Sequence, residues 1–94
     1  MKIEKHDEQY MFYCPGCEVG HYVGFSWEFN NDFEKPTFKP SILVTWPANP
    51  EATEEFKEWR TERRCHTFIT DGKIQFLDDC THKLKGKTVE LPEL

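Results

Sequence analysis

Ninety-four residues, 37% hydrophobic and 15% aromatic, describe one small globular domain rather than a disordered chain. A formal net charge of -5 excludes broad nucleic-acid binding by charge alone. The start, MKIEKHDEQY, is too polar for a signal peptide, and no apolar run approaches the ~20 residues of a membrane helix, so a cytoplasmic protein is expected.

Taken in chain order, residues 1–9 read as a flexible, frayed tail, and residues 10–94 as the domain. Tyr10 to Tyr13 is a short apolar stretch running into Cys14-Pro15-Gly16-Cys17, the strand and tight knuckle of a zinc ribbon. Val19, His21, Val23, Phe25, Trp27 and Phe29 then alternate with more polar residues, which predicts one long half-buried strand. Asn30-Asn31-Asp32 supplies turn chemistry. Pro36 and Pro40 bracket a segment that must lie at an edge, because proline cannot donate to a sheet ladder. Ser41 to Trp46 is a second strand with Ile42, Val44 and Trp46 on one face.

A helix is predicted after Asn49, which can cap it, with Pro50 at its first position and Glu51, Glu54 and Glu55 at its positive end. Ala52, Phe56 and Trp59 would share one face of a lid over the sheet. Arg64 to Leu77 reads as a hairpin around Asp71-Gly72. In that register Thr70 pairs with Lys73, Ile69 with Ile74 and Thr67 with Phe76, and parity places Cys80 near Cys65. Thr88 to Leu91 is a last short strand. The expected fold is β-rich: a small twisted antiparallel sheet of four to six strands with one helix.

Four cysteines in a short chain with reduced thiols point to metal ahead of disulfides. Cys14, Cys17, Cys65 and Cys80 would close a tetrahedral structural Zn2+ site, two ligands from the knuckle and two from the hairpin. A redox CxxC is the competing reading, but such motifs begin helices, whereas a strand pattern follows here. His66 adjoins Cys65 and His82 lies two residues past Cys80, so either histidine could replace its cysteine. His21, His66 and His82, with Asp78 or Asp79, could instead bind a second metal or serve as acid and base. Arg60, Arg63, Arg64, Lys83, Lys85 and Lys87 form either a partner-binding basic face or a solvated surface with helix-end compensation.

The stretches Phe12-x-Cys14-Pro15-Gly16-Cys17, Pro36-Thr37-Phe38-x-Pro40-Ser41-Ile42-Leu43-Val44 and Cys65-His66-x-Phe68-Ile69-x-Asp71-Gly72 carry a resemblance. So do Asp79-Cys80-Thr81-His82 and Gly86-x-Thr88-Val89-x-Leu91-Pro92. Over about residues 10 to 92 the chain resembles a family of small, uncharacterised phage and prophage Cys/His proteins, some carrying a spurious ammonia monooxygenase label. A broader relative of that domain lies beside bacterial ubiquitin-like conjugation genes. The resemblance implies that residues 48–64 are a family-variable insertion, and that Cys14, Cys17, Cys65, His66, Cys80 and His82 are ligands or neighbours of ligands. The function it suggests is a phage-encoded protein-interaction module, with inhibition of a host defence system as one form. A zinc-dependent hydrolase with a histidine-lined site and a nucleic-acid-binding zinc ribbon are the alternatives.

Overall fold

Eight strands form two antiparallel sheets in the computed structural model, which describes residues 1–94. β1 (Glu4–His6), β2 (Gln9–Cys14) and β3 (Val19–Gly24) make a three-stranded sheet in that order. β4 (Glu28–Phe29), β5 (Phe38–Trp46), β6 (Arg63–Thr70), β7 (Lys73–Phe76) and β8 (Thr88–Glu90) make a five-stranded one.

The β-rich expectation holds, with two sheets in place of one and further differences in layout. Residues 1–9 are not a loose tail. β1 pairs with β2, Ile3 is fully buried, and the Lys2 N–H donates to the Phe33 carbonyl at 2.9 Å. The long strand predicted over 19–29 is broken after Gly24, where the Trp27 N–H donates back to the Gly24 carbonyl. The alternation therefore continues from one sheet into the other.

The core lies between the sheets. Phe12, Val23, Phe38, Ile42, Ile69, Ile74, Phe76 and Leu91 are buried there, the residues that period-two patterning aims inward. Tyr10 joins Phe25, Phe29, Phe33 and Phe38 in an aromatic cluster at one end, with ring centroids 4.7–5.9 Å apart. Geometry of this kind adds to plain area burial.

The β6–β7 hairpin has the register expected from its turn: Thr70 opposite Lys73, Ile69 opposite Ile74, Thr67 opposite Phe76. Asp71 and Gly72 both have positive φ, 50° and 77°, as a two-residue primed turn demands. The helix is shorter than predicted. A 3-10 helix spans Glu54–Arg60, starts after Thr53 and is kinked at Phe56. Asn49 instead accepts the Glu51 N–H in a local turn, which competes with helix initiation at that point. None of the helix residues is fully buried. Trp59 packs edge-on against Trp46 at 5.3 Å, and Arg63 lies 4.7 Å over the Trp59 ring. The segment thus borders the end of β5 instead of covering a sheet face.

Candidate active site and candidate metal centre

Adjacent residues of a strand point to opposite faces, and β6 uses this to serve two sites. Cys65, Thr67 and Ile69 are buried and face inward. His66 and Phe68 face outward, as do Leu43 and Thr45 on neighbouring β5. The ambiguity between Cys65 and His66 as ligands is thereby resolved in space.

On the inner side, one ligand atom from each of Cys14, Cys17, Cys65 and His82 lies within 4.8 Å of every other. These four lie close enough to hold a metal ion. The Cys14 and Cys65 sulfurs are 3.7 Å apart. Two thiolates bound tetrahedrally at ~2.3 Å would be about 3.8 Å apart, so the spacing already suits a zinc-sized ion. The Cys17 N–H donates to Cys14 Sγ at 3.3 Å, and the Glu18 N–H to the Cys14 carbonyl at 2.8 Å, which folds the knuckle tightly. Gly16 is required at its apex. A Cβ there would sit 2.2 Å from His82 Cε1, so only glycine admits the histidine ring.

His82 fills the place that parity gave to Cys80. Cys80 is buried beside the cluster without joining it. Its sulfur accepts the His66 N–H and its thiol donates to the His66 carbonyl, both at 3.2 Å. Burial pushes that thiol upward, which keeps it protonated and suited to donate. Parity correctly put Cys80 on the inner side near Cys65, but the chain turns at Asp78–Cys80 instead of extending β7, and this brings His82 to the cluster. The Cys80 N–H bonds the Leu77 carbonyl, and the Thr81 N–H the Arg64 carbonyl.

The electrostatics of the cluster match a cation site. Cys17 and Cys65 direct their thiols at the Cys14 sulfur and hold it well below the ordinary thiol range. Sharing with the Cys14 thiolate pushes Cys17 up to about 12 and Cys65 higher still. Burial pushes the His82 imidazole down, into the neutral form that binds metals. His82 Nε2 is buried without a hydrogen-bond partner, an arrangement that costs about 1–3 kcal/mol unless a partner arrives. The Leu84 N–H meets Nδ1 at 3.2 Å. His21 lies next to the cluster, against Phe12 and Trp46, with its own Nε2 unpartnered.

On the outer side stands a group that the cysteine pattern did not suggest. Ser41 Oγ–H donates to His66 Nε2 at 2.9 Å, and His66 Nδ1–H donates to Asp79 at 3.1 Å to Oδ2 and 3.3 Å to Oδ1. An ionised carboxylate can only accept, so Nδ1 carries the ring proton and Nε2 offers its lone pair to the serine. The three residues form a Ser–His–Asp relay.

Local structure explains each placement. The pairing of β5 with β6 jumps between Phe38/Ile69 and Ile42/Thr67, leaving Lys39, Pro40 and Ser41 opposite Phe68 alone. Such bulges re-aim side chains beside active sites, and this one turns Ser41 towards His66 on the outward face. His66 is fixed by its ladder position opposite Leu43. Asp79 is fixed because Thr81 clamps to Arg64: the Arg64 N–H donates to Thr81 Oγ1 at 3.0 Å, and the Thr81 N–H to the Arg64 carbonyl at 3.0 Å.

His66, His21 and His82 therefore do not line one open site; His66 belongs to the relay. The expected basic face is largely compensated. Arg60 pairs with Glu54, Arg63 stacks on Trp59, and Arg64 pairs with Glu62 and lies 4.0 Å from Asp79. Lys83 and Lys85 are exposed. Ser41 was the residue that sequence reasoning passed over. Its signal was present: one of only two serines, directly after a ladder-breaking proline.

The model of the BubE family, described as bacterial ubiquitination-like system serine protease, matches residues 1–77. The chain belongs to this family. The BubE match spans Cys14, Cys17, Ser41, Cys65 and His66, and it ends before Asp79 and His82. No curated protein and no solved structure matches the chain. No helix is long and apolar enough to cross a membrane.

Proposed function

We propose that this chain is a serine peptidase acting within a bacterial ubiquitination-like system, with Ser41 as nucleophile, His66 as general base and Asp79 as the group that orients and stabilises the imidazolium. The observation that carries this reading is the Ser41–His66–Asp79 relay at 2.9 and 3.1 Å. Membership of a family described as a serine protease of a bacterial ubiquitination-like system supports the reading, and a polypeptide amide is the bond such an enzyme would cut.

Chemically, the serine oxygen attacks the acyl carbonyl while His66 Nε2 takes its proton. That proton passes to the departing amine, leaving an acyl ester on Ser41. Water activated by the same nitrogen then hydrolyses the ester and frees the serine. Asp79 keeps the proton on Nδ1 throughout.

The metal in this reading is a structural Zn2+ held by Cys14, Cys17, Cys65 and His82. Four protein ligands leave no open position for substrate. What the ion supplies is rigidity: fixing Cys65 fixes the strand that presents His66 on its other face. The interaction role expected from the sequence is contained here, since cutting a polypeptide requires docking one.

The deciding experiment is labelling with a fluorophosphonate, followed by intact mass and peptide mapping. The Ser41 oxygen should displace fluoride and form one phosphonyl ester. Ser41→Ala and His66→Ala should abolish labelling while circular dichroism stays unchanged. Labelling that persists in Ser41→Ala, or none in a folded, metal-loaded wild type, removes the proposal.

A further inference from the structure

The edge of β5 is bare next to the nucleophile. β4 covers that edge only through Phe29 opposite Phe38 and Glu28 opposite Lys39. Beyond it the backbone directions follow from the other side of β6. The His66 N–H and C=O are taken by Cys80 and Leu77, and those of Arg64 by Thr81. Both residues thus aim their backbone away from β5. Leu43 and Thr45, directly opposite them, must aim theirs away from β6, because paired residues in an antiparallel ladder either exchange both bonds or neither. No turn, loop or side-chain group hydrogen-bonds the backbone of Leu43 or Thr45, and past β4 the Trp27 indole N–H donates to the Ser41 carbonyl at 3.3 Å on this edge. Two N–H and two C=O groups therefore stand in a row beginning two residues after Ser41.

Natural sheets protect such edges with charge, proline or cover. The stretch Ser41-Ile42-Leu43-Val44-Thr45-Trp46 has no charge and no proline, and Leu43 is 55% exposed. An unguarded edge that starts at a serine nucleophile is what an acyl group on an extended chain needs. Strand addition supplies affinity through the backbone and sets the register along the chain. We infer that Leu43 and Thr45 are the docking strand for the acyl portion of an extended polypeptide, which adds antiparallel to β5 in line with β4 and so delivers its scissile carbonyl to Ser41. This inference rests on the serine-peptidase reading, and it names how that site recognises its substrate.

The test compares two acyl donors with one leaving group: p-nitrophenyl acetate and the p-nitrophenyl ester of N-acetyl-pentaalanine. In each, Ser41 Oγ displaces p-nitrophenolate, its proton passes to His66, and water hydrolyses the acyl-enzyme. The peptide ester should show a kcat/KM at least about 10-fold higher, the range expected of a few net hydrogen bonds. N-methylation at one parity of its nitrogens should erase that advantage, and at the other parity should not. Thr45→Pro removes an outward N–H and no bond to β6, since Val44 and Trp46 carry those. It should bring the peptide ester down to the acetate level and leave acetate hydrolysis unchanged.

Equal rates for the two esters, indifference to both N-methyl parities, or an equal loss on both substrates in Thr45→Pro would overturn the docking strand. So would a dimer dissolved by Thr45→Pro with the ester ratio unchanged, which would assign the edge to a second copy of this chain. If Thr45→Pro fails to fold, the N-methylated esters on the wild type decide alone. Acetate hydrolysis that survives Ser41→Ala would instead sink the serine-peptidase reading itself.

Discussion

Replacing Asp79 by Asn isolates what the carboxylate contributes. The side chain keeps its size, and its backbone position is held by the Thr81–Arg64 clamp, so the fold should stand. What disappears is a negative charge 3.1 Å from His66 Nδ1. Two unit charges about 4 Å apart attract by ~1 kcal/mol in bulk water and ~4 kcal/mol at an effective dielectric of 20. Those limits correspond to rate losses of about 5-fold and about 10³-fold. Asp79 is 41% exposed and His66 26%, which places the site between them. An asparagine that turns its amide N–H towards Nδ1 also inverts the tautomer and leaves Nε2 unable to accept from Ser41. A kcat lower by ~10²-fold is expected for p-nitrophenyl acetate hydrolysis, with the melting temperature little changed. Asp78→Asn, next in sequence but not part of the relay, should leave kcat alone. Combining Asp79→Asn with Ser41→Ala should cost no more than Ser41→Ala by itself, because groups acting as a unit are not additive. A wild-type kcat in Asp79→Asn, or additive losses in the double variant, would refute the relay.

Other outcomes can be checked on the same protein. Elemental analysis should find one zinc per chain, near zero after Cys14→Ser, Cys17→Ser, Cys65→Ser or His82→Ala, and still one after Cys80→Ser. Gly16→Ala should release the metal and lower the melting temperature together, since its Cβ would collide with the His82 ring; full occupancy in that variant would contradict the site geometry. Phe76→Ala should cost about 3–5 kcal/mol and at least ~12 °C of Tm, because Phe76 is buried and holds the His82 ring edge-on at 4.6 Å. Differential scanning calorimetry reads it directly.

Legibility in the sequence followed the range of the forces involved. The hairpin was readable down to its register because Asp71-Gly72 and strict alternation are local signals. The knuckle was readable for the same reason. The fourth member of the cluster stayed open between Cys80 and His82, because which of them reaches it depends on a turn set by non-local bonds to Arg64 and His66. The break after Gly24 escaped notice because alternation survives a change of sheet. The relay was the least visible. Ser41, His66 and Asp79 are separated by 25 and 13 residues, and the bulge that aims the serine leaves only a proline as its trace.

The five residues Asp78 to His82 send Asp79 to the outer face and His82 to the inner one, each to a different centre. A chain cut before this stretch would keep Ser41, His66 and the sulfurs of Cys14, Cys17 and Cys65, but would lack one member of each centre. One stretch of five residues thus ties the two faces of β6 together, so that displacing it would disturb the cysteine–histidine cluster and the relay at once.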